Sequence, residues 1–147
     1  LKVGAYVCVN ACGEVYEGEK ILAGALNDDK SEIISSHQLM LEGAESLLSG
    51  KNTTIGCILT NAILNKTECN KVAEVAHNGY ALSIRPIHTS MDGDTIFTLA
   101  SGIAEANFDT VCYLAQEAMR LAVIDAIKSA EAVQNIPSYR SIHSISK

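Results

Sequence analysis

The chain has 147 residues, 48% of them apolar, and 11 basic against 17 acidic side chains give a formal net charge of −6. That length suits a single domain, and the apolar fraction supports a real core and excludes intrinsic disorder as the main state. Three Arg, no Trp and no basic run exclude a phosphate backbone as a partner, and no stretch reaches the roughly 18 apolar residues of a membrane span, so neither nucleic acid nor membrane is expected.

Residues 1–11 alternate with period two, Val3, Ala5, Val7 and Val9 on one face and Tyr6, Cys8 and Asn10 on the other, which predicts a strand. Residues 12–35, with Gly13, Gly18, Gly24, several acids and Asn27-Asp28-Asp29, read as loop and turn. The spacing of Leu39, Met40, Ala44, Leu47 and Leu48 predicts a helix over 36–48, weakened by Gly43 and broken at Gly50. Residues 53–61 (TTIGCILTN) form a short β-branched run, expected as a buried strand. Asn65 with Glu68 reads as a capping box opening a helix to about Ser83, which Pro86 ends. A loop over 87–93 precedes a strand over 94–100. Asp109 is the expected N-cap of a long helix reaching Val133, with Val111, Leu114, Ala115, Ala118, Leu121 and Ala122 as its buried stripe. Helices over a mixed sheet larger than three strands are expected, an α+β architecture whose missing strands come from polypeptide outside this chain.

Five cysteines at irregular spacing, with Cys8, Cys57 and Cys112 among apolar neighbours, read as reduced core thiols in a cytoplasmic protein rather than a disulfide frame. No metal site is expected at Cys8 and Cys12, which lack a second pair. No signal peptide is visible, and a start at Leu1 inside an alternating run suggests a fragment, a subunit or a processed product.

Three places carry candidate chemistry. Asn52-Thr53-Thr54 stands at a loop-to-strand junction. A threonine hydroxyl is activated by its own α-amine once the preceding peptide bond is cut, and that amine titrates near 7.7–8; alternatively, Thr53 and Thr54 simply begin a strand. Asn52 and Asn65 also match the N-x-[ST] glycosylation pattern, which carries no support without secretion. Asp92-Gly93-Asp94 brackets a glycine with two carboxylates that can orient a base or an ammonium; it also fits an ordinary Asp-Gly turn or, without any phosphate-binding partner, a divalent cation. Asn10 can donate from its carboxamide to an oxyanion or satisfy a turn. His77 and His88 read as structural or surface residues.

Taken together, the run GKNTTIGCILTNAILNKTECNKVAEVAHNGYALSIRPIHTSMDGDTIFTLASG, the upstream GAYVCVNACGEV and the later IPSYR resemble the L-aminopeptidase/D-esterase family. That family includes β-peptidyl aminopeptidases and the endo-type nylon-oligomer (6-aminohexanoate-oligomer) hydrolase. The resemblance implies an inactive precursor that cuts itself between Asn52 and Thr53. Residues 1–52 would then end the large-subunit portion and its linker, and 53–147 would be the small subunit. It further implies Thr53 as nucleophile, Asn10 as oxyanion donor, and Asp92 and Asp94 as the pair orienting the nucleophile and its amine. The implied fold is an αββα sandwich of the aminopeptidase/ornithine-acetyltransferase type, in oligomers of cleaved pairs. A peptide or small amide or ester substrate and no cofactor or metal are implied. The sequence departs from the family in length: members run more than twice as long, and the N-terminal portion, which supplies strands, a Tyr or Lys at the site and part of the pocket, is the expected partner. Two other readings are a truncated, inactive relative serving as an association module and a related self-processing acyltransferase.

Overall fold

The computed structural model describes residues 1–30, 32–43 and 52–143. A first sheet carries β1 (Val3–Cys8), β4 (Ile55–Ala62) and β6 (Thr95–Ala104) in the order β1-β4-β6, antiparallel between β1 and β4 and parallel between β4 and β6. A second, smaller sheet has the order β3-β2-β5, from β2 (Glu14–Glu17), β3 (Lys20–Ala23) and β5 (Ile84–Arg85). Helix α1 (Ser36–Leu41) follows β3, α2 (Lys66–Ser83) and α3 (Phe108–Ser129) cover the first sheet, and α4 (Tyr139–His143) closes the described chain.

The alternation in β1 sets its faces as expected: Val3, Ala5, Val7 and Val9 lie against the core while Tyr6, Cys8 and Asn10 are exposed. Ile58 and Ala62 of β4 and Ile96 of β6 meet Val72, Ala76 and Tyr80 of α2 and Val111, Ala115, Met119 and Val123 of α3 in one cluster. Each fully buried aliphatic side chain there contributes about 1.5–3 kcal/mol relative to exposure. Helices cover one face only. On the other face Tyr6 is 72% exposed, Phe97 59% and Leu99 61%, with Ile55 and Leu59 beside them.

The capping box forms as read: Asn65 Oδ1 accepts from Glu68 N at 2.9 Å and Glu68 Oε2 from Asn65 N at 2.8 Å. The helix ends at Ser83, three residues before Pro86, and the intervening pair forms β5. Several expectations need correction. Residues 14–23, read as loop, form a hairpin, because Gly18 at φ 62° closes the turn between Glu17 and Lys20; Glu14 is buried at its start, while Glu17 and Glu19 are exposed at the turn. The N-cap of α3 is Asn107, whose side chain accepts from Thr110 N, and Asp109 lies in the first turn, where a carboxylate also favours the helix dipole. That helix stops at Ser129, short of Val133, and β6 runs on to Ala104. The expected helix over 36–48 is seen to Leu41, and its residues 44–48 lie outside the described ones. Among the described residues no disulfide joins any of the five cysteines, and of the three expected in the core only Cys112 is buried: Cys57 is half-buried and Cys8 is exposed on the uncovered sheet face.

Candidate functional site

Parallel pairing of β4 with β6 brings the segments that precede them side by side. Ile55 lies opposite Thr95, and the ladder continues backward through a parallel bridge between Asn52 and Asp92. The end of β1 flanks the same point, since Cys8 pairs with Ile55. Thr53 is therefore held between the strand that ends near Asn10 and the loop that contains Asp92-Gly93-Asp94.

Both sides of the Asn52–Thr53 peptide are fixed. The Gly93 N–H donates to the Asn52 carbonyl at 2.9 Å, and the Thr53 N–H donates to the Asn10 carbonyl at 3.0 Å. Thr53 Oγ1 donates to the same Asn52 carbonyl at 2.7 Å. One carbonyl oxygen thus receives a backbone N–H from across the ladder and the hydroxyl of the following residue. Gly93 suits this close approach, because a Cβ there would stand 2.9 Å from Thr53 Oγ1.

Asp94, its side chain 2% exposed, ties the floor together. Its Oδ1 accepts from Thr54 N at 2.9 Å and its Oδ2 faces His88 Nδ1 at 2.8 Å. Asp92 turns into its own loop, with Oδ2 accepting from Thr89 N at 2.7 Å and Thr89 Oγ1 at 2.8 Å. Its Oδ1 is buried with no hydrogen-bond partner among the described residues. Behind Asp94 three rings meet edge to face: His77 lies 4.9 Å from His88 and 5.5 Å from Tyr80, centroid to centroid. Burial, then the Asp94 charge and Cys8, push the Tyr80 phenol well above its ordinary range. Burial first and His88 second hold the His77 imidazole below its ordinary value, with Asp94 opposing. The Cys12 thiol is pushed up by burial, then by the Asp92 and Glu14 charges, while a hydrogen bond with the Asn52 side chain opposes them.

The structure thus brings together Asn10, Asn52, Thr53, Asp92 and Asp94. Asn10 enters through its backbone carbonyl, and its residue is exposed. Sequence reasoning passed over three participants. His88, read as structural or surface, pairs with Asp94 through a loop contact six residues apart. Gly93 acts through a main-chain N–H, and the signal available was the absence of a side chain between two aspartates. Cys12 reads from the sequence only against a metal site, although it follows Asn10 by two residues. Among the described residues no three His, Cys, Asp or Glu side chains gather as a metal site.

Comparison with known proteins bears on this arrangement. The sequence pattern of peptidase family S58 matches residues 1–139. An uncharacterized aminopeptidase of Mycobacterium leprae is 35% identical over 93% of this chain and 43% of its own length. One from Mycobacterium tuberculosis is 31% identical over 95% of this chain and 47% of its own. A 6-aminohexanoate-oligomer endohydrolase of Kocuria sp. is 33% identical over 52% of this chain and 25% of its own length. The chain spans less than half the length of these relatives.

Proposed function

Since the chain belongs to peptidase family S58, we propose that it is the C-terminal part of an amide hydrolase of aminopeptidase type that matures by cutting itself at Asn52–Thr53. The observation that carries this reading is the doubly held Asn52 carbonyl, with the Thr53 hydroxyl at 2.7 Å and the Gly93 N–H at 2.9 Å. In the first step Thr53 Oγ1 forms a bond to the Asn52 carbonyl carbon, and Gly93 N–H stabilises the developing oxyanion, as preorganised backbone donors do in acyl transfer. The C–N bond then breaks, and the hydroxyl proton ends on the departing Thr53 nitrogen. Water adds to the resulting ester, its C–O bond breaks, and Asn52 leaves as a carboxylate while Thr53 regains its hydroxyl.

The freed α-amine stays beside the Asn10 carbonyl, the acceptor it already faces at 3.0 Å. At neutral pH an appreciable minority of such an amine is free base, so it can take the Thr53 hydroxyl proton when a substrate amide or ester is attacked. Asp94 fixes the backbone next to the nucleophile through Thr54 N–H, and His88 in turn fixes Asp94.

The uncovered sheet face bearing Tyr6, Phe97 and Leu99 supports a second layer supplied by the N-terminal portion of the precursor, completing an αββα sandwich. The names of the relatives support a peptide or oligomeric amide as substrate. The test uses the protein expressed with its whole natural chain. Intact mass after incubation at neutral pH is expected to give a fragment beginning Thr-Thr-Ile-Gly; Thr53→Ser keeps the cut and Thr53→Ala abolishes cut and turnover. A folded Thr53→Ala protein that still cuts there refutes the reading.

A further inference from the structure

If self-cleavage proceeds as proposed, Asn52 is the first acyl residue that Thr53 carries, because cutting and turnover pass through the same kind of ester on Oγ1. The surroundings of Asn52 are then what a substrate's acyl residue meets after the chain end at residue 52 has withdrawn. The carbonyl is held by Gly93, the backbone is laddered to Asp92, and the side chain meets the Cys12 thiol. Cys12 also lines a cavity of about 460 Å³ whose side chains are mostly small or branched and apolar, Val9, Ala11, Ala25 and Ile127 among them, with polar surface and Asn10 beside them. Asn10, whose carbonyl accepts from Thr53 N–H at 3.0 Å, lines it too, so one lining residue touches the nucleophile's backbone.

Charge narrows what fits. Glu14 is 1% exposed, and its Oε2, like Asp92 Oδ1, is buried with no hydrogen-bond partner among the described residues. Both carboxylates act on the Cys12 thiol. An anionic side chain brought here loses water and meets like charge, whereas an aliphatic one loses nothing polar.

We propose that Cys12 and the cavity behind it form the acyl subsite of this enzyme, occupied at its mouth by Asn52 before the cut, and that it takes aliphatic acyl side chains of about Leu or Met size and rejects acidic ones. This rests on the self-cleavage reading above. Cys12 is the gate: a hydrophobic subsite discriminates about tenfold or more per methylene, so a side chain added at the mouth excludes substrate side chains of the same bulk.

The test uses the processed full-length protein with Gly-, Leu- and Asp-p-nitroanilide, as wild type, Cys12→Ala and Cys12→Phe. The wild type is expected to prefer Leu to Asp by about 100-fold in kcat/KM. Cys12→Phe should lower the Leu/Gly ratio at least about tenfold and Cys12→Ala raise it. Ratios that stay within about twofold in both variants, or Asp cleaved as well as Leu, overturn the subsite. Intact mass on the same samples separates the two readings: a chain that never cuts and hydrolyses nothing removes both, while a chain that cuts and turns over with unmoved ratios removes only the subsite. Alkylation of Cys12 by iodoacetamide, followed by peptide mapping, needs no Cys12 variant. It should be slower in uncut Thr53→Ala protein than in cut wild type, and free leucine should slow it in the latter. Equal rates in all three samples overturn the proposal.

Discussion

Gly93→Ala separates site geometry from stability more cleanly than any other change here. The Gly93 backbone is not in the left-handed region and the residue is exposed, so the backbone accepts alanine; the gain of about 0.4–1 kcal/mol from restricting the unfolded chain offsets the cost of moving the Thr53 hydroxyl. The added Cβ, however, would stand 2.9 Å from Thr53 Oγ1, inside van der Waals contact. Either the hydroxyl swings off the Asn52 carbonyl or the loop retreats and the 2.9 Å Gly93 N–H contact lengthens. Loss of one oxyanion donor costs about 10²–10³ in rate, and a misplacement of about 1 Å costs about 10². Self-cleavage should therefore slow by about 100-fold, roughly 2.7 kcal/mol in the barrier, in a protein whose urea midpoint is unchanged or higher. The assay follows the Thr-initiated fragment by intact mass over time in the full-length protein. Cleavage of folded Gly93→Ala at the wild-type rate would refute the assignment of this N–H to the scissile carbonyl.

Three further outcomes are expected. Asp94→Asn keeps an oxygen for Thr54 N–H but removes the charge facing His88, so processing should slow and urea unfolding should show a loss of about 1–3 kcal/mol; an unshifted midpoint argues against Asp94 as the tie. Gly79→Ala places a Cβ 2.6 Å from the Gln116 carbonyl and 2.9 Å from Arg120 N, forcing α2 from α3. The cost of about 1–3 kcal/mol should outweigh the gain in helix propensity of about 1 kcal/mol, and a higher midpoint would show that the helices have slack. For His77, the imidazole sits below its ordinary value of 6.5, so the folded state prefers it neutral. Its contribution is complete above that value and is lost as pH falls from it toward the lowered folded value. His77→Asn should flatten the stability-pH curve over that interval, as read by urea midpoints; an unchanged slope assigns the loss to other groups.

Elements built on local chemistry were legible. The Asn65/Glu68 box needs only residues three apart, and it formed as read; the period-two pattern of β1 likewise needs only its own strand. The hairpin over 14–23 was hidden because its strands are four residues each and the first begins with an acid, Glu14, that is buried where its residue type reads as loop, with Glu17 exposed beside the turn. Asp109 drew attention away from Asn107 because both residue types cap, and only the backbone geometry distinguishes them. At the site, residues named by motif lie together, but Asn10 and Asn52 enter through their carbonyls and Gly93 through its N–H, main-chain groups that no residue type announces. The His88–Asp94 pair depends on how the loop folds, which no spacing encodes.

One consequence follows from β1 and β4 lying side by side in one sheet while Asn52–Thr53 falls between them in the chain. Before the cut, the antiparallel pairing is an intramolecular event with a loop-closure entropy fixed by the linker. After the cut proposed at Asn52–Thr53 the same six residue pairs would join two molecules. An uncut chain unfolded and returned to native conditions recovers at a rate independent of dilution. A cut one must find its partner, so recovery becomes second order and fails at low concentration. Maturation would thus convert a reversible fold into one that remembers it was made in a single piece, and its working lifetime would rest on how slowly the two pieces separate.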